Sequence, residues 1–318
     1  MRGPLLLLGA TGTIGRAIAV AALARGYSLI CSVRPHSTAP LPPEANRVVC
    51  DLTDPPAVAA MLRAVRPEAI VSCMASRTGA AVEAWAVDHL AHSVVLSAAR
   101  EAGVERMVLL SAICVQKPRL EFQRAKLAFE AELAASGLIY TIVRPTAFFK
   151  SLSGQVARVR AGRPYLLFGD GRGTACKPIS DWDLATYLLA CLEEPELENR
   201  ILPVGGPGPA VSPWEQGAYL FERLGQRPRF RQIPVPAIRT IAVGLEALGR
   251  VSPAAGRKAE FARIAEYYAT ESMLVWDASA GRYDAGATPS YGSDTLWAHY
   301  DRLLSGEAED DRGAHAMF

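Results

Sequence analysis

The chain has no apolar stretch long enough to cross a bilayer, so a helical membrane span is not expected. It has no C-x-x-C pair and no zinc or iron ligand spacing; Cys31, Cys50, Cys73, Cys114, Cys176 and Cys191 are scattered. At least three of these end apolar runs, which predicts buried free thiols in a reducing interior. No Lys/Arg block stands out, and a net charge of +2 gives no general field for nucleic acid. The apolar run in the opening MRGPLLLLG is too short for a signal-peptide core. No internal repeat is visible. Together these absences predict a cytoplasmic protein with no nucleic-acid partner.

What is present is a strand–helix alternation. Pro4–Leu8 is a continuous apolar run, as suits a parallel strand buried on both faces. A small-residue helix follows from Gly12 to Arg25, and Gly26 ends it. Further strands are predicted at Ser28–Val33, Arg47–Cys50, Ala69–Ser72, Arg106–Leu110 and Leu138–Val143. Helices are predicted from Asp54 to about Val65, near Glu83–Ala102 and over Leu120–Ala135. This rhythm implies an α/β fold of Rossmann type, a doubly wound parallel sheet with a smaller C-terminal substrate-binding portion. The expected division is 1–147 for dinucleotide binding, 148–304 for substrate in intimate packing, and 305–318 as a polar, disordered tail. In the second part, Ser212-Pro213-Trp214-Glu215 reads as a capping box with Pro at the first helical position, and Ser180 with Asp183 as a weaker one. Ile238, Ile241, Ala242, Leu245 and Leu248 form a stripe at helical spacing, read as a core face with a lid or surface-seeking role left open.

Gly9-Ala10-Thr11-Gly12-Thr13-Ile14-Gly15 spells G-x-x-G-x-x-G between a buried strand and a helix. A tight turn, close backbone approach to a pyrophosphate and close helix–sheet packing each need glycine there. The helix N-terminus then offers free N–H groups to the anion. In that setting the motif predicts dinucleotide binding by Gly9, Thr11, Gly12, Thr13, Ile14 and Gly15. The second strand ends in Ser32-Val33-Arg34, with no acid to accept from a ribose hydroxyl. Arg34 can clamp a 2′-phosphate instead, so NADPH is the expected cofactor. A solvated surface arginine is the alternative. Asp51 is placed to meet the adenine edge, or to cap a turn.

Short-chain dehydrogenases pair Tyr and Lys in Y-x-x-x-K, on one helix face. The lysine there holds the nicotinamide ribose and lowers the phenol pKa, so that the tyrosine protonates a carbonyl oxygen. The corresponding residues here are Phe122 and Lys126: the phenol is missing and the lysine remains. Either the protein reduces something with no carbonyl oxygen to protonate, or it binds NADPH without catalysis, or Lys126 is merely a solvated helix residue. Ser111, after the fifth strand, is a candidate nicotinamide contact or a strand-end cap.

The segments LLSAICVQKPRLEFQRAKLAFEAEL (Leu109–Leu133), VSCMASRTG (Val71–Gly79), VRPTAFFKSLSGQV (Val143–Val156), FGDGRGTACKPISD (Phe168–Asp181), LPVGGPGPA (Leu202–Ala210) and YYATESMLV (Tyr267–Val275) are long and compositionally unusual. They resemble the corresponding blocks of the divinyl chlorophyllide a 8-vinyl reductase family, which belongs to the atypical, NmrA-like short-chain reductases. The resemblance runs from about Leu5 to Leu296. It implies an NADPH-dependent reductase acting on the vinyl group of divinyl (proto)chlorophyllide, in chlorophyll or bacteriochlorophyll synthesis. It also accounts for the missing tyrosine. A vinyl group conjugated to a tetrapyrrole takes hydride at its terminal carbon and a proton at the inner one, and no oxyanion forms. Lys126 is then the candidate catalytic residue. Phe148 and Phe149 are candidates for an aromatic wall against the macrocycle, or for core. Lys150 or Arg77 is a candidate partner for its propionate. His89 and His92, at i and i+3, could offer an axial ligand to magnesium, but a polar helix face is the plainer reading. An NmrA-like reductase of a quinone or phenylpropanoid, and a non-catalytic NADPH-sensing or assembly protein, remain as rivals. A weak membrane-surface association is compatible with such a substrate.

Overall fold

The computed structural model describes residues 2–249 and 252–308. In chain order the strands are β1 (Arg2–Leu8), β2 (Tyr27–Val33), β3 (Asn46–Val49), β4 (Ala69–Ser72), β5 (Arg106–Leu110), β6 (Ile139–Pro145), β7 (Tyr165–Phe168), β8 (Arg200–Val204), β9 (Phe230–Ile233), β10 (Val275–Asp277) and β11 (Arg282–Asp284). The helices are α1 (Thr13–Ala24), α2 (Pro55–Val65), α3 (Ala81–Ala84), α4 (His92–Glu101), α5 (Glu121–Ala134), α6 (Phe149–Leu152), α7 (Val156–Arg160), α8 (Asp181–Glu193), α9 (Pro213–Arg223), α10 (Val235–Gly249), α11 (Pro253–Thr270) and α12 (Leu296–Ser305).

Seven strands form one sheet in the order β3-β2-β1-β4-β5-β6-β8, and the pairings from β3 through β6 are parallel. The reversal of strand order falls between β1 and β4, the crevice where open α/β sheets bind ligands. β1 is hydrogen-bonded on both edges and covered on both faces, so Leu5, Leu6, Leu7 and Leu8 are fully buried. That is why its sequence is a continuous apolar run rather than an alternation. A core of Leu6, Leu8, Val58, Leu62, Val95, Met107 and Phe129 ties the sheet to α2, α4 and α5.

The chain divides into two compact units. The first comprises Met1–Ser76, Ala81–Pro145 and Asp181–Pro203; the second comprises Arg77–Ala80, Thr146–Ser180 and the described residues from Val204 on. The expected boundary at 147 lies close to the crossover after β6. The segment 181–203 differs from expectation, because α8 packs on α1 and β8 extends the sheet, returning it to the first unit.

Three local differences have clear causes. The helix expected over Glu83–Ala102 is broken by a π-helical turn, Trp85–Ala91, which hydrophobic spacing cannot reveal. In α10 only Ile238 and Ala242 of the predicted apolar stripe are buried; Ile241 and Leu248 are exposed, so the stripe is not a core face. The disordered tail expected from Ser305 does not begin there: α12 runs through Ser305, Gly306 closes it with φ +84°, and Ala308 N donates to Arg302 O. The remainder, 309–318, lies outside the described residues. At α9 the capping box forms as the sequence predicts: Ser212 N donates to Glu215 Oε2 at 2.7 Å and Glu215 N to Ser212 Oγ at 3.3 Å.

In the second unit, a core of Phe149, Val156, Tyr165, Leu220, Phe221 and Tyr300 holds α6, α7, α9 and α12 around β7. β7 pairs with β9 in parallel, and β10 with β11 antiparallel.

Candidate functional site

The glycine loop follows from its backbone. Gly9 stands at φ +84°, and a Cβ there would lie 2.9 Å from the Cys73 carbonyl carbon and the Met74 nitrogen, at the end of β4. A Cβ on Gly15 would lie 2.1 Å from Gly9 O, so only glycine lets α1 start this close to β1. Gly12 is different: it is exposed, and a Cβ there would meet only Gly9 O, at 3.4 Å. Its φ of −77° and ψ of 171° place it as the N-cap of α1, with no side chain capping the helix and no acid in the first turn. The positive end of the helix dipole is therefore offered, uncompensated by any side chain of that turn, to an external anion. Two glycines shape the cradle and the third leaves its mouth open, which fits a dinucleotide pyrophosphate. Thr11, Thr13 and Ile14 occupy the same turn.

Arg34 directly follows β2, is exposed, and has no ion pair among the described residues. Its guanidinium is thus available for a 2′-phosphate. Asp51 is engaged otherwise: its Oδ1 accepts from Thr53 N at 3.0 Å and Thr53 Oγ1 at 2.7 Å, closing its own turn. Those bonds hold its carboxyl below the usual carboxylate range. The turn-capping reading of Asp51 is the one the geometry supports.

Lys126 sits on α5, 13% exposed, and its Nζ lies 2.8 Å from Oδ1 of Asp88, whose carboxylate is fully buried. Asp88 comes from the π-helical turn, and both its oxygens also lie 3.3 Å from Ser76 N. A buried charge without a partner would be very costly, so this pair fixes both side chains. The solvated-helix reading of Lys126 is overturned. One helical turn on, His92 is buried, with Nδ1 2.9 Å from the Val87 carbonyl and Nε2 2.7 Å from Ser72 Oγ. A carbonyl only accepts, so Nδ1 carries the proton and Nε2 accepts from Ser72. Burial, followed by the Lys126 charge, pushes His92 down to about 4, so the ring is neutral. Both its nitrogens are engaged within the protein, which leaves none for the axial magnesium ligation considered from sequence, and His89 Nε2 lies 2.6 Å from Glu132 Oε1.

Ser111 is at the end of β5, as expected, but its hydroxyl does not stand open. It donates to Glu130, which is itself ion-paired with Arg144 of β6; Ser111 and Glu130 are both buried. The side chain locks α5 to the sheet, which fits the strand-end reading of Ser111. Phe122 is half-buried at the position where a phenol would stand.

In the second unit, Phe149 is 3% exposed and packs in the core, its ring centroid 5.3 Å from that of His299. It therefore cannot offer a wall to a macrocycle, which corrects that expectation. Phe148 and Lys150 are half-buried at the start of α6, and Arg77 is exposed.

The sequence reading missed Asp88, Ser72, Glu130 and Arg144. Lys126 and Glu130 stand at i and i+4, the spacing of an ordinary surface ion pair. The fold sends each to another partner, and only tertiary structure shows it.

Similarity to known proteins agrees with this geometry. Residues 9–195 match a family model described as NAD(P)H-binding. A chloroplastic divinyl chlorophyllide a 8-vinyl-reductase of Oryza sativa subsp. indica is 46% identical over 331 residues, covering 98% of this chain and 82% of the relative. The protein of that name from Arabidopsis thaliana is 43% identical, covering 94% and 76%. A UDP-glucose 4-epimerase from Thermus thermophilus, solved with NAD, matches with a TM-score of 0.63 at 22% identity over 73% of this chain and 86% of its own; that likeness shows the fold. The plant relatives are chloroplastic by name, which overturns the expectation of a cytoplasmic protein. Five of the six free thiols are buried and Cys73 is half-buried, and such thiols do not say in which compartment the protein resides. By the model match and by full-length similarity, this chain belongs to the NAD(P)H-binding divinyl chlorophyllide a 8-vinyl-reductase family.

Proposed function

We propose that the protein reduces the 8-vinyl group of divinyl chlorophyllide a, or of the corresponding protochlorophyllide, to ethyl with NADPH, as a step of chlorophyll or bacteriochlorophyll synthesis. The observation that carries this reading is 46% identity over nearly the whole chain, together with a glycine cradle fit for a dinucleotide. Bound NADPH supplies hydride to the terminal vinyl carbon, and a proton completes the ethyl group at the inner carbon. The macrocycle spreads the intervening negative charge, so no oxyanion needs a phenol. That agrees with Phe122 standing where carbonyl reductases carry tyrosine.

The chain's own work is then binding and orientation, which can carry much of a barrier. Gly9, Gly12 and Gly15 with the first turn of α1 receive the pyrophosphate, and Arg34 receives the 2′-phosphate. Lys126, held by Asp88, orients the nicotinamide ribose and keeps a positive charge beside the reacting centre. Phe148 and Lys150 are the remaining candidates for macrocycle and propionate contact, with Arg77 as the alternative cation. Weak association with a membrane surface also belongs to this reading, supported by the exposed apolar flank of α10.

Incubation with NADPH and divinyl chlorophyllide should shift the Soret band to that of the monovinyl product. NADPH binding without any shift, or reduction of quinones or ketones in its place, overturns the proposal.

A further inference from the structure

The helix α10 is built inside out. Of its fifteen residues only Ile238 and Ala242 are buried. Around the helix the exposed positions form one continuous arc that carries Pro236, Ala237, Ile241, Val243, Ala247 and Leu248, with Thr240 and Gly244 between them. Ile241, Val243 and Leu248 are 58%, 56% and 57% exposed. Its acid, Glu246, is turned to α11 and bonded to Arg263 Nε and Nη2. The one charge on the outward arc is Arg239. A water-facing helix has the opposite arrangement, and contiguous exposed apolar surface of this kind marks an interaction site.

The charges on this helix and on the chain leading into it identify the occupant. From residue 223 to 245 the sequence has five arginines and no Asp or Glu. Arg227, Arg229, Arg231 and Arg239 are all exposed, and Arg227, Arg231 and Arg239 have no ion pair among the described residues. These arginines are spaced by uncharged residues, so they do not read as a block. An apolar helix face that carries a cation at its edge, and that follows an arginine-rich stretch without acids in the chain, matches the boundary between the acyl chains and the headgroups of an anionic bilayer. No helix among the described residues is long and apolar enough to cross one. A second copy of the chain fits less well, since a two-fold contact through α10 would set like-charged arginines against each other.

We propose that the outward face of α10 docks on anionic lipid, with Ile241, Val243 and Leu248 entering the acyl boundary and Arg231 and Arg239 meeting the headgroups. The inference deepens the membrane-surface part of the reading above and does not depend on the reaction. The full chain should float with vesicles of phosphatidylcholine plus phosphatidylglycerol, and much less with phosphatidylcholine alone. High salt should weaken the binding. Arg231→Gln and Arg239→Gln should each lower the affinity about fivefold, the equivalent of about 1 kcal/mol per basic residue near a charged surface. The triple change Ile241→Ser, Val243→Ser, Leu248→Ser should abolish flotation while NADPH binding and the thermal transition stay unchanged, because these side chains are already in water. Equal flotation of the triple variant, or no flotation of the unmodified protein, overturns the proposal. So does a concentration-dependent dimer that the triple change dissociates without any vesicle binding. Vinyl reduction measured on detergent-dispersed substrate tests the reaction separately from this surface.

Discussion

Arg34 is exposed and has no ion pair among the described residues, which makes it a direct handle on cofactor choice. Arg34→Ala should weaken NADPH by about 1.5–3 kcal/mol, the range of hydrogen bonds to charged groups, and leave NADH nearly untouched. Titration calorimetry with both cofactors checks this, and equal losses would remove Arg34 as the discriminator. Phe122 tests the chemistry. Phe122→Tyr should bring no gain in vinyl turnover, since no oxyanion needs the phenol. A rise of about a hundredfold or more, typical of a positioned general acid, would instead mean carbonyl chemistry. His92 gives a pH dependence. Its pKa in the folded state is depressed to about 4 from the ordinary value of 6.5, so the unfolded chain binds the proton more readily. Its contribution is complete above about pH 6.5, is lost as pH falls toward 4, and then levels off; the span is on the order of 3 kcal/mol. Urea titrations across that window should show this slope, and His92→Asn should be less stable at neutral pH but flatter. Parallel slopes would assign the pH dependence to other groups.

At the scale of elements, the π-helical turn is the feature that departs most from an ordinary Rossmann layer. A π turn is rarely sustained without a functional reason, and here it carries Asp88 to the Lys126 ammonium. Removing one partner of a buried ion pair costs about 3–5 kcal/mol, because the other charge is left behind. Asp88→Asn should therefore lower stability, and should also cut kcat with a smaller effect on the KM for substrate, since the lysine loses its fixed position. Asp88→Glu, which keeps the charge, should recover part of the turnover. A variant that loses stability yet keeps full turnover would reduce Asp88 to a structural role. The glycine loop and α9 teach the reverse lesson. Both were readable in the sequence, since a G-x-x-G-x-x-G turn and an S-P-W-E cap are set by contacts within a few residues. Asp88 was not readable, because its partner lies 38 positions away.

For the molecule as a whole, cofactor binding should act on stability by mass action. NADPH at a hundred times its Kd should add about 2.7 kcal/mol to a two-state unfolding transition. The gain should appear as amide-exchange protection concentrated in the first unit, at the glycine loop and the end of β2. Protection confined to the second unit would place the dinucleotide elsewhere.

The sequence by itself determined the alternating strands and helices, the dinucleotide turn, the arginine in place of an acid and the absence of the phenol. All of these rest on local periodicity or on residues adjacent in the chain. Long family-like blocks added the reaction class. Tertiary structure alone decided which polar residues are committed to one another. It turned Phe149 into core, gave the Ser111 hydroxyl to Glu130 and returned 181–203 to the first unit. It also turned the apolar side of α10 outward. The physical reason is common to all four. Hydrophobic spacing tells which side of an element is apolar, but what covers that side, and which distant group meets a buried charge, is fixed only by long-range packing.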